Sequence, residues 1–283
     1  MQIRHALAQA VHALSATHGE SPRLDAHLLL AHLLGVDRAW LFAHDDHLLP
    51  PETAQAFTDL VARRLAHTPV AYLTGHRDFF GLSFHVDPRV LIPRPETELL
   101  VEAVLDFVKS HPSVSSVADV GTGSGIIGVT LGVQAPGLVI YAVDASADAL
   151  AVAQANAAAL LPAQARPITF LHGDLLAPLP GPVDIIAANL PYIPAAAYAT
   201  LQPNVRDHEP AAALLSGVDG LDHIRRLLAA APAFLRPHGA IFLEIGHDQG
   251  ASVQALAQAL IPGCQVHLTQ DLAGLDRLVK IWC

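Results

Sequence analysis

Three places in the chain bring together residue types that can do chemistry: Asp119 to Gly125, the spaced acids Asp144 and Asp174, and Asn189 to Tyr192. The last closes an apolar run, Val183 to Ala188, whose β-branched and small residues predict a strand buried on both faces. Pro191 forbids its continuation, so a polar amide stands at the strand's carboxyl end, where open α/β sheets bind ligands. A planar NH2 group has two protons to donate. The Asn189 side-chain oxygen and the Leu190 backbone carbonyl can accept one each, while Tyr192 stacks on the plane. That arrangement aims the nitrogen lone pair at an electrophile. The plainer alternative is a strand-ending turn with a buried Tyr.

In Asp119-Val120-Gly121-Thr122-Gly123-Ser124-Gly125, alternate glycines let the backbone turn tightly and bring ligand atoms close to main-chain N–H groups. Asp144 follows about 20 residues on, at a predicted strand end, where a carboxylate accepts ribose hydroxyls. The pattern is a nucleoside site. Gly123 to Gly128 also satisfies the GxGxxG dinucleotide pattern, so the loop alone leaves NAD open. Asp119 and Gly121 better suit a loop that meets an amino-acid tail, which favours S-adenosylmethionine. Asp174, again at a strand end, can accept the exocyclic amine of adenine with Leu175 packed beside the ring; its alternative is a turn cap.

These residues need a scaffold, and the hydrophobic pattern supplies one. Strands are predicted over Val117–Val120, Leu138–Val143, Ile168–Leu171, Val183–Ala188, Ala240–Ile245, Gln265–Thr269 and Arg277–Trp282. Helices fall between them, over Ala147–Leu160, about Leu221–Phe234 and over Ala251–Leu260. Strand and helix in alternation predict an α/β fold with a largely parallel, doubly wound sheet. Before it, residues 1–68 read as a small helical domain, with Leu28, Leu29, Leu30, Leu33 and Leu34 on one apolar face and Phe57, Leu60, Val61 and Leu65 on another. Residues 69–92 read as a β-hairpin linker, with strands over Val70–Gly75 and Phe79–Val86, and residues 93–283 as the sheet domain. Pro95 suits a first helical turn, and Arg94 to Thr97 is placed to wall the cofactor site.

Composition narrows the function class. Lys and Arg number 16 against 26 Asp and Glu, a net charge of −10. Such a chain is poorly suited to neutralising phosphates, so no direct nucleic-acid contact is expected. Apolar runs stay short of the roughly 18 residues that span a bilayer, and Met1 to Glu20 lacks a signal-peptide core, which predicts a cytoplasmic protein. Cys264 and Cys283 have no metal or disulfide spacing and read as reduced thiols, and the 17 histidines are scattered without ligand spacing. No metal is expected.

Those motifs resemble the HemK or PrmC family, the protein-(glutamine N5) methyltransferases that modify peptide-chain release factors. The resemblance runs through Tyr72 to Gly75, Leu91-Ile92-Pro93-Arg94-Pro95-Glu96-Thr97-Glu98, Asp119 to Gly125, Asn189 to Tyr192, Glu209-Pro210, Gly217 to Leu221, Glu244 to Gly246 and Gln249. It implies a Rossmann-like, S-adenosylmethionine-dependent methyltransferase domain, a hairpin linker, and an N-terminal helical domain that helps seat the release factor. It also implies that Gly121 to Gly125 hold the cofactor, that Asp144 binds its ribose, and that Asn189 to Tyr192 bind the glutamine of a class I release factor's GGQ loop, with Asn189 and Tyr192 as the catalytic pair and Asn189 also touching the cofactor. Leu190 stands where the family has Pro, and Leu175 where it has an aromatic residue beside adenine. A monomer is expected. Rival readings are an adenine N6-methyltransferase on nucleic acid, an NAD-dependent oxidoreductase, and a translation-associated binding module with a degenerate site.

Overall fold

The computed structural model describes residues 1–15 and 21–282, so the reading of Cys283 as a thiol and the last part of the N-terminal stretch lie outside the described residues. Two compact units form, Met1–His76 with Gln202–His208, and Arg77–Leu201 with Glu209–Cys283.

In the first unit, helices α1 (Ile3–Ser15), α2 (Pro22–Leu34), α3 (Arg38–Ala43), α4 (Pro51–Leu65) and α5 (Val70–Thr74) enclose Leu14, Leu29, Leu30, Leu41, Phe57 and Leu73. Pro22 and Pro51 sit in the first turns of α2 and α4, where a missing N–H leaves no hydrogen bond unmade. Leu29 and Leu30 of the predicted leucine face are buried, while Leu28, Leu33 and Leu34 lie half-buried at its margins. Arg64 on α4 donates to Asp25 on α2 at 2.7 Å.

The strand expected over Val70–Gly75 is instead the helical turn α5. The carbonyl of Pro69 accepts from Tyr72 and Leu73 N–H at 3.0 and 3.1 Å, and Gly75, at φ 75°, ends the turn. Val70 and Leu73 are three apart, a helical interval that serves the apolar core as well as strand alternation would. The hairpin itself is β1 (His76–Phe79) and β2 (Leu82–His85). Its turn residues Phe80 and Gly81 both have positive φ, at 51° and 75°, as tight hairpin turns of the I′ type require. Phe79 and Phe84 are buried against the sheet domain's own core, and Glu98 accepts from Phe80 N–H at 2.8 Å.

The second unit continues with α6 (Thr97–Ser110), β3 (Ser116–Val120), α7 (Ile126–Gln134), β4 (Val139–Asp144), α8 (Ala147–Leu160), β5 (Thr169–His172), β6 (Val183–Ala188) and the short α9 (Ala195–Tyr198). Helix α10 (Pro203–Arg206) belongs to the first unit's residues, and α11 (Asp222–Phe234), β7 (Leu235–Glu244), α12 (Gly250–Leu260), β8 (Gln265–Gln270) and β9 (Asp276–Trp282) complete the second. The seven-stranded sheet runs β5-β4-β3-β6-β7-β9-β8, parallel from β5 to β7, with β9 antiparallel to β7 and β8 to β9. This is the Rossmann-like α/β arrangement expected. Strand β7 begins earlier than predicted: Val183 pairs with Leu235, and a register shift follows before Ile185 meets Ala240. His238 lies in that stretch at φ 65°, so the bulge absorbs polar residues that break the alternation.

Chain order reverses between β3 and β6: β4 and β5 add on one side, β7 on the other. A crevice therefore opens past the carboxyl ends of β3 and β6. Val120 and Ala188, paired neighbours, are the last residues before the glycine turn and the Asn189 turn.

Candidate active site

The glycine turn is organised from below by carboxylates. Gly121 and Thr122 N–H both donate to the Val143 carbonyl, at 2.8 and 2.9 Å. Gly123 N–H donates to Asp144 Oδ2 at 2.9 Å, and the other carboxylate oxygen accepts from Ser146 N–H at 2.8 Å. Asp144, read from the sequence as the ribose acceptor, thus also braces the turn. Gly121 has φ 74°, and a Cβ there would lie 3.0 Å from Leu190 Cδ2, so only glycine lets the two turns approach. Asn156 on α8 accepts from His85 N–H at 2.8 Å and donates to the His85 and Ser124 carbonyls at 3.0 and 2.8 Å, tying hairpin and glycine turn to one helix.

Asp119 is fully buried. Its Oδ2 accepts from Thr122 Oγ1 at 2.5 Å and from Gly128 N–H at 2.8 Å, while Oδ1 has no hydrogen-bond partner. Burial pushes this carboxyl up to about 6, against the lowering effect of Thr122 and Gly128, and the nearby Asp144 charge adds to the rise.

A cavity of about 320 Å³ opens beside the turn. The structure brings together around it Gly121, Thr122, Gly123, Ser124, Asp144, Asp174, Leu175, Asn189, Leu190 and Pro191. Gly125 and Tyr192 are not in its lining. Gly125 caps α7 at φ 85°, packed so that a Cβ would meet Ala153 of α8 at 3.2 Å, which is a helix-packing role. Burial pushes the Tyr192 phenol up to about 12, and its carbonyl accepts from Gln249 Nε2 at 3.0 Å. Gln249 Oε1 in turn accepts from Gly246 N–H at 2.9 Å, which staples the Asn189 turn to the end of β7. Asp174 forms an ion pair with Arg226 of α11, and Leu175 has φ 49°.

Asn189 Nδ2 donates to Thr97 Oγ1 at 3.1 Å, and Thr97 Oγ1 donates to Glu244 Oε2 at 2.6 Å. Thr97 also lines the cavity with Arg94, as expected of the wall. Arg94 pairs at 2.5 Å with Glu209, whose second oxygen accepts from Ile92 N–H at 3.1 Å. Sequence reading gave no chemical role to Thr97, Glu244 or Arg226. Thr97 left a signal in the predicted wall Arg94 to Thr97, and Glu244 left one as a charge closing the apolar run Ala240 to Leu243.

The donor set fits S-adenosylmethionine. Asp144 lines the cavity and Asp119, buried behind the turn and outside that lining, adds negative charge beneath it, which suits a ligand bearing positive charge, as a sulfonium and an α-ammonium do. The same acids oppose a pyrophosphate, and the Gly123 N–H that a dinucleotide would need is already held by Asp144. Among the described residues no group of three or more His, Cys, Asp or Glu is arranged to hold a metal ion, and no helix is long and apolar enough to cross a membrane.

Comparison with known proteins identifies two domains. Residues 5–75 match the PrmC N-terminal domain, and residues 95–204 the methyltransferase small domain. A release factor glutamine methyltransferase of Moorella thermoacetica is 45% identical over 98% of this chain and 97% of its own length. One from Cereibacter sphaeroides is 43% identical over 99% of this chain and 98% of its own. Among solved structures, the hMettl16 catalytic domain in complex with the MAT2A 3′UTR hairpin 6 shares the fold at TM-score 0.55, with 17% identity, over 79% of this chain and 81% of that one. With nearly end-to-end likeness to such relatives, the chain belongs to the release factor glutamine methyltransferase family.

Proposed function

We infer that the protein transfers the methyl group of S-adenosylmethionine to the side-chain amide nitrogen of the glutamine in the GGQ loop of class I peptide-chain release factors. The observation that carries this reading is the Asn189 carboxamide at the cavity wall, its nitrogen donated inward to Thr97 and its oxygen without a donor among the described residues. Beside it, Leu190 also lines the cavity, and its backbone carbonyl is the second acceptor of the reading.

Bound cofactor supplies the electrophilic methyl carbon. An amide nitrogen is a poor nucleophile because its lone pair is delocalised into the carbonyl, so orientation must carry much of the rate. Fixing two reactants in near-attack geometry contributes roughly 7–11 kcal/mol. Asn189 Oδ1 and the Leu190 carbonyl accept the two amide protons, which holds the NH2 plane and turns the lone pair toward the glycine turn. As the nitrogen gains methyl it sheds one proton. Neither acceptor is a base strong enough to keep it, and it passes to water. Asp144 holds the ribose, and Asp174 and Leu175 face the adenine; Tyr192, outside the cavity lining, serves the clamp by anchoring its turn to Gln249. Burial of Leu190 at 4% exposure, against Gly121, supports a firm turn where the family has Pro.

The reading has the chain act as a cytoplasmic monomer on a protein, with residues 1–68 seating the release factor. The same clamp suits the exocyclic amine of adenine, which is the competing reading. Purified protein, S-adenosylmethionine and either a release factor or adenine-containing oligonucleotides separate the two. Methyl on the glutamine nitrogen upholds the reading; methyl on the oligonucleotide alone replaces it.

A further inference from the structure

We propose that Thr97, seated on Glu244, is a positioning residue that holds the Asn189 carboxamide with its nitrogen inward and its oxygen toward the substrate. The inference rests on the functional reading above, because only a substrate that donates two protons needs that polarity.

Thr97 carries one hydroxyl proton, and it goes to Glu244 Oε2 at 2.6 Å. The oxygen of Thr97 is then left only as an acceptor, and it accepts from Asn189 Nδ2 at 3.1 Å. Reversing the carboxamide would press its oxygen against an oxygen whose proton is committed elsewhere. Both supporting groups are buried, Thr97 at 0% and Glu244 at 2% exposure, so their hydrogen bonds are made to protein groups. A lone Asn side chain has two amide orientations of similar energy; this chain of donors removes one of them. Three elements meet here: the first residue of α6, the last of β7 and the residue after β6.

Facing Glu244 are Arg277 of β9, Glu96 ahead of α6 and the Tyr192 phenol, along with the hydroxyl and amide of the relay. Burial outweighs the hydrogen bonds and Arg277, and pushes Glu244 up to about 7. Ionised, its oxygens only accept; protonated, the carboxyl can donate to Thr97 and undo the order of donors. Turnover therefore rises as Glu244 ionises.

The test compares Thr97→Val, which keeps the shape and removes the hydroxyl, with Thr97→Ser, which restores it. With a release factor and S-adenosylmethionine, Thr97→Val should lower kcat by roughly 10- to 100-fold with the cofactor Kd within about three-fold of wild type, and Thr97→Ser should recover most of the loss. A packing role alone moves kcat little in the isosteric variant, and kcat within about two-fold of wild type overturns the inference. Should Thr97→Val fail to fold, Glu244→Gln decides: the rise of kcat near pH 7 present in wild type must vanish, and its persistence counts against the relay. Wild type that methylates glutamine beside an undiminished Thr97→Val sinks the relay and leaves the functional reading standing. Wild type that leaves glutamine unmodified overturns that reading, and the inference with it.

Discussion

At the scale of residues, the account turns on Asn189. Under the proposed mechanism, Asn189→Ala removes the acceptor that orients the substrate and leaves the hydrogen bonds of the glycine turn to Val143 and Asp144 in place. It should lower kcat by about 100-fold while the S-adenosylmethionine Kd, measured by calorimetry, stays within about three-fold. Glu244 gives a second prediction, in stability. Its folded-state value, about 7, lies above the ordinary 4.5, so its contribution is fully present below 4.5 and is lost as pH rises through about 7. The shift corresponds to about 3 kcal/mol for the ionised form. Glu244→Gln should therefore be more stable than wild type in urea at about pH 8.5, with the difference vanishing toward about pH 5. A gap independent of pH contradicts the burial of an ionising carboxyl. The same ionisation that costs stability sets the relay for turnover, a conflict common at functional sites.

Among elements, the two turns are coupled through Gly121. Gly121→Ala forces a non-glycine residue into φ 74° and drives its Cβ to 3.0 Å from Leu190 Cδ2. We expect a loss of about 2 kcal/mol of folding stability and weaker cofactor binding, both readable by thermal melts with and without S-adenosylmethionine. Cofactor affinity equal to wild type would show that the turn does not contact it. Element identity was legible where local signals agreed: α8 begins at Ala147 under a Ser146 cap and ends at Leu160 as its alanine-rich pattern predicts. Strand β6 spans Val183–Ala188, stopped before Asn189 and Pro191. The segment Val70–Thr74 misled because its β-branched and aromatic residues suit a strand, while Pro69 and Gly75 set a helical turn that sends Leu73 into the core. The site's relay was not legible for a different reason. Thr97 and Glu244 stand 147 residues apart, and only the sheet order brings β7 beside β6.

For the molecule as a whole, the topological reversal between β3 and β6 explains why distant motifs share one crevice. Every residue lining the cavity belongs to the second compact unit. Residues 5–75 match the PrmC N-terminal domain, and the proposed function gives residues 1–68 the seating of the protein substrate. Deleting residues 1–68 should raise the KM for a release factor by roughly ten-fold or more while cofactor Kd stays within about three-fold. Unchanged KM would remove those residues from substrate recognition. The central claim is that a glutamine carboxamide is held by Asn189 and Leu190 against an activated methyl group. Its most direct test is tandem mass spectrometry of a release factor incubated with S-adenosylmethionine and either wild type or Asn189→Ala. The account predicts a methyl group on the GGQ glutamine side-chain nitrogen with wild type and almost none with the variant over the same interval. A methyl group on any other atom, or equal transfer by both proteins, contradicts it.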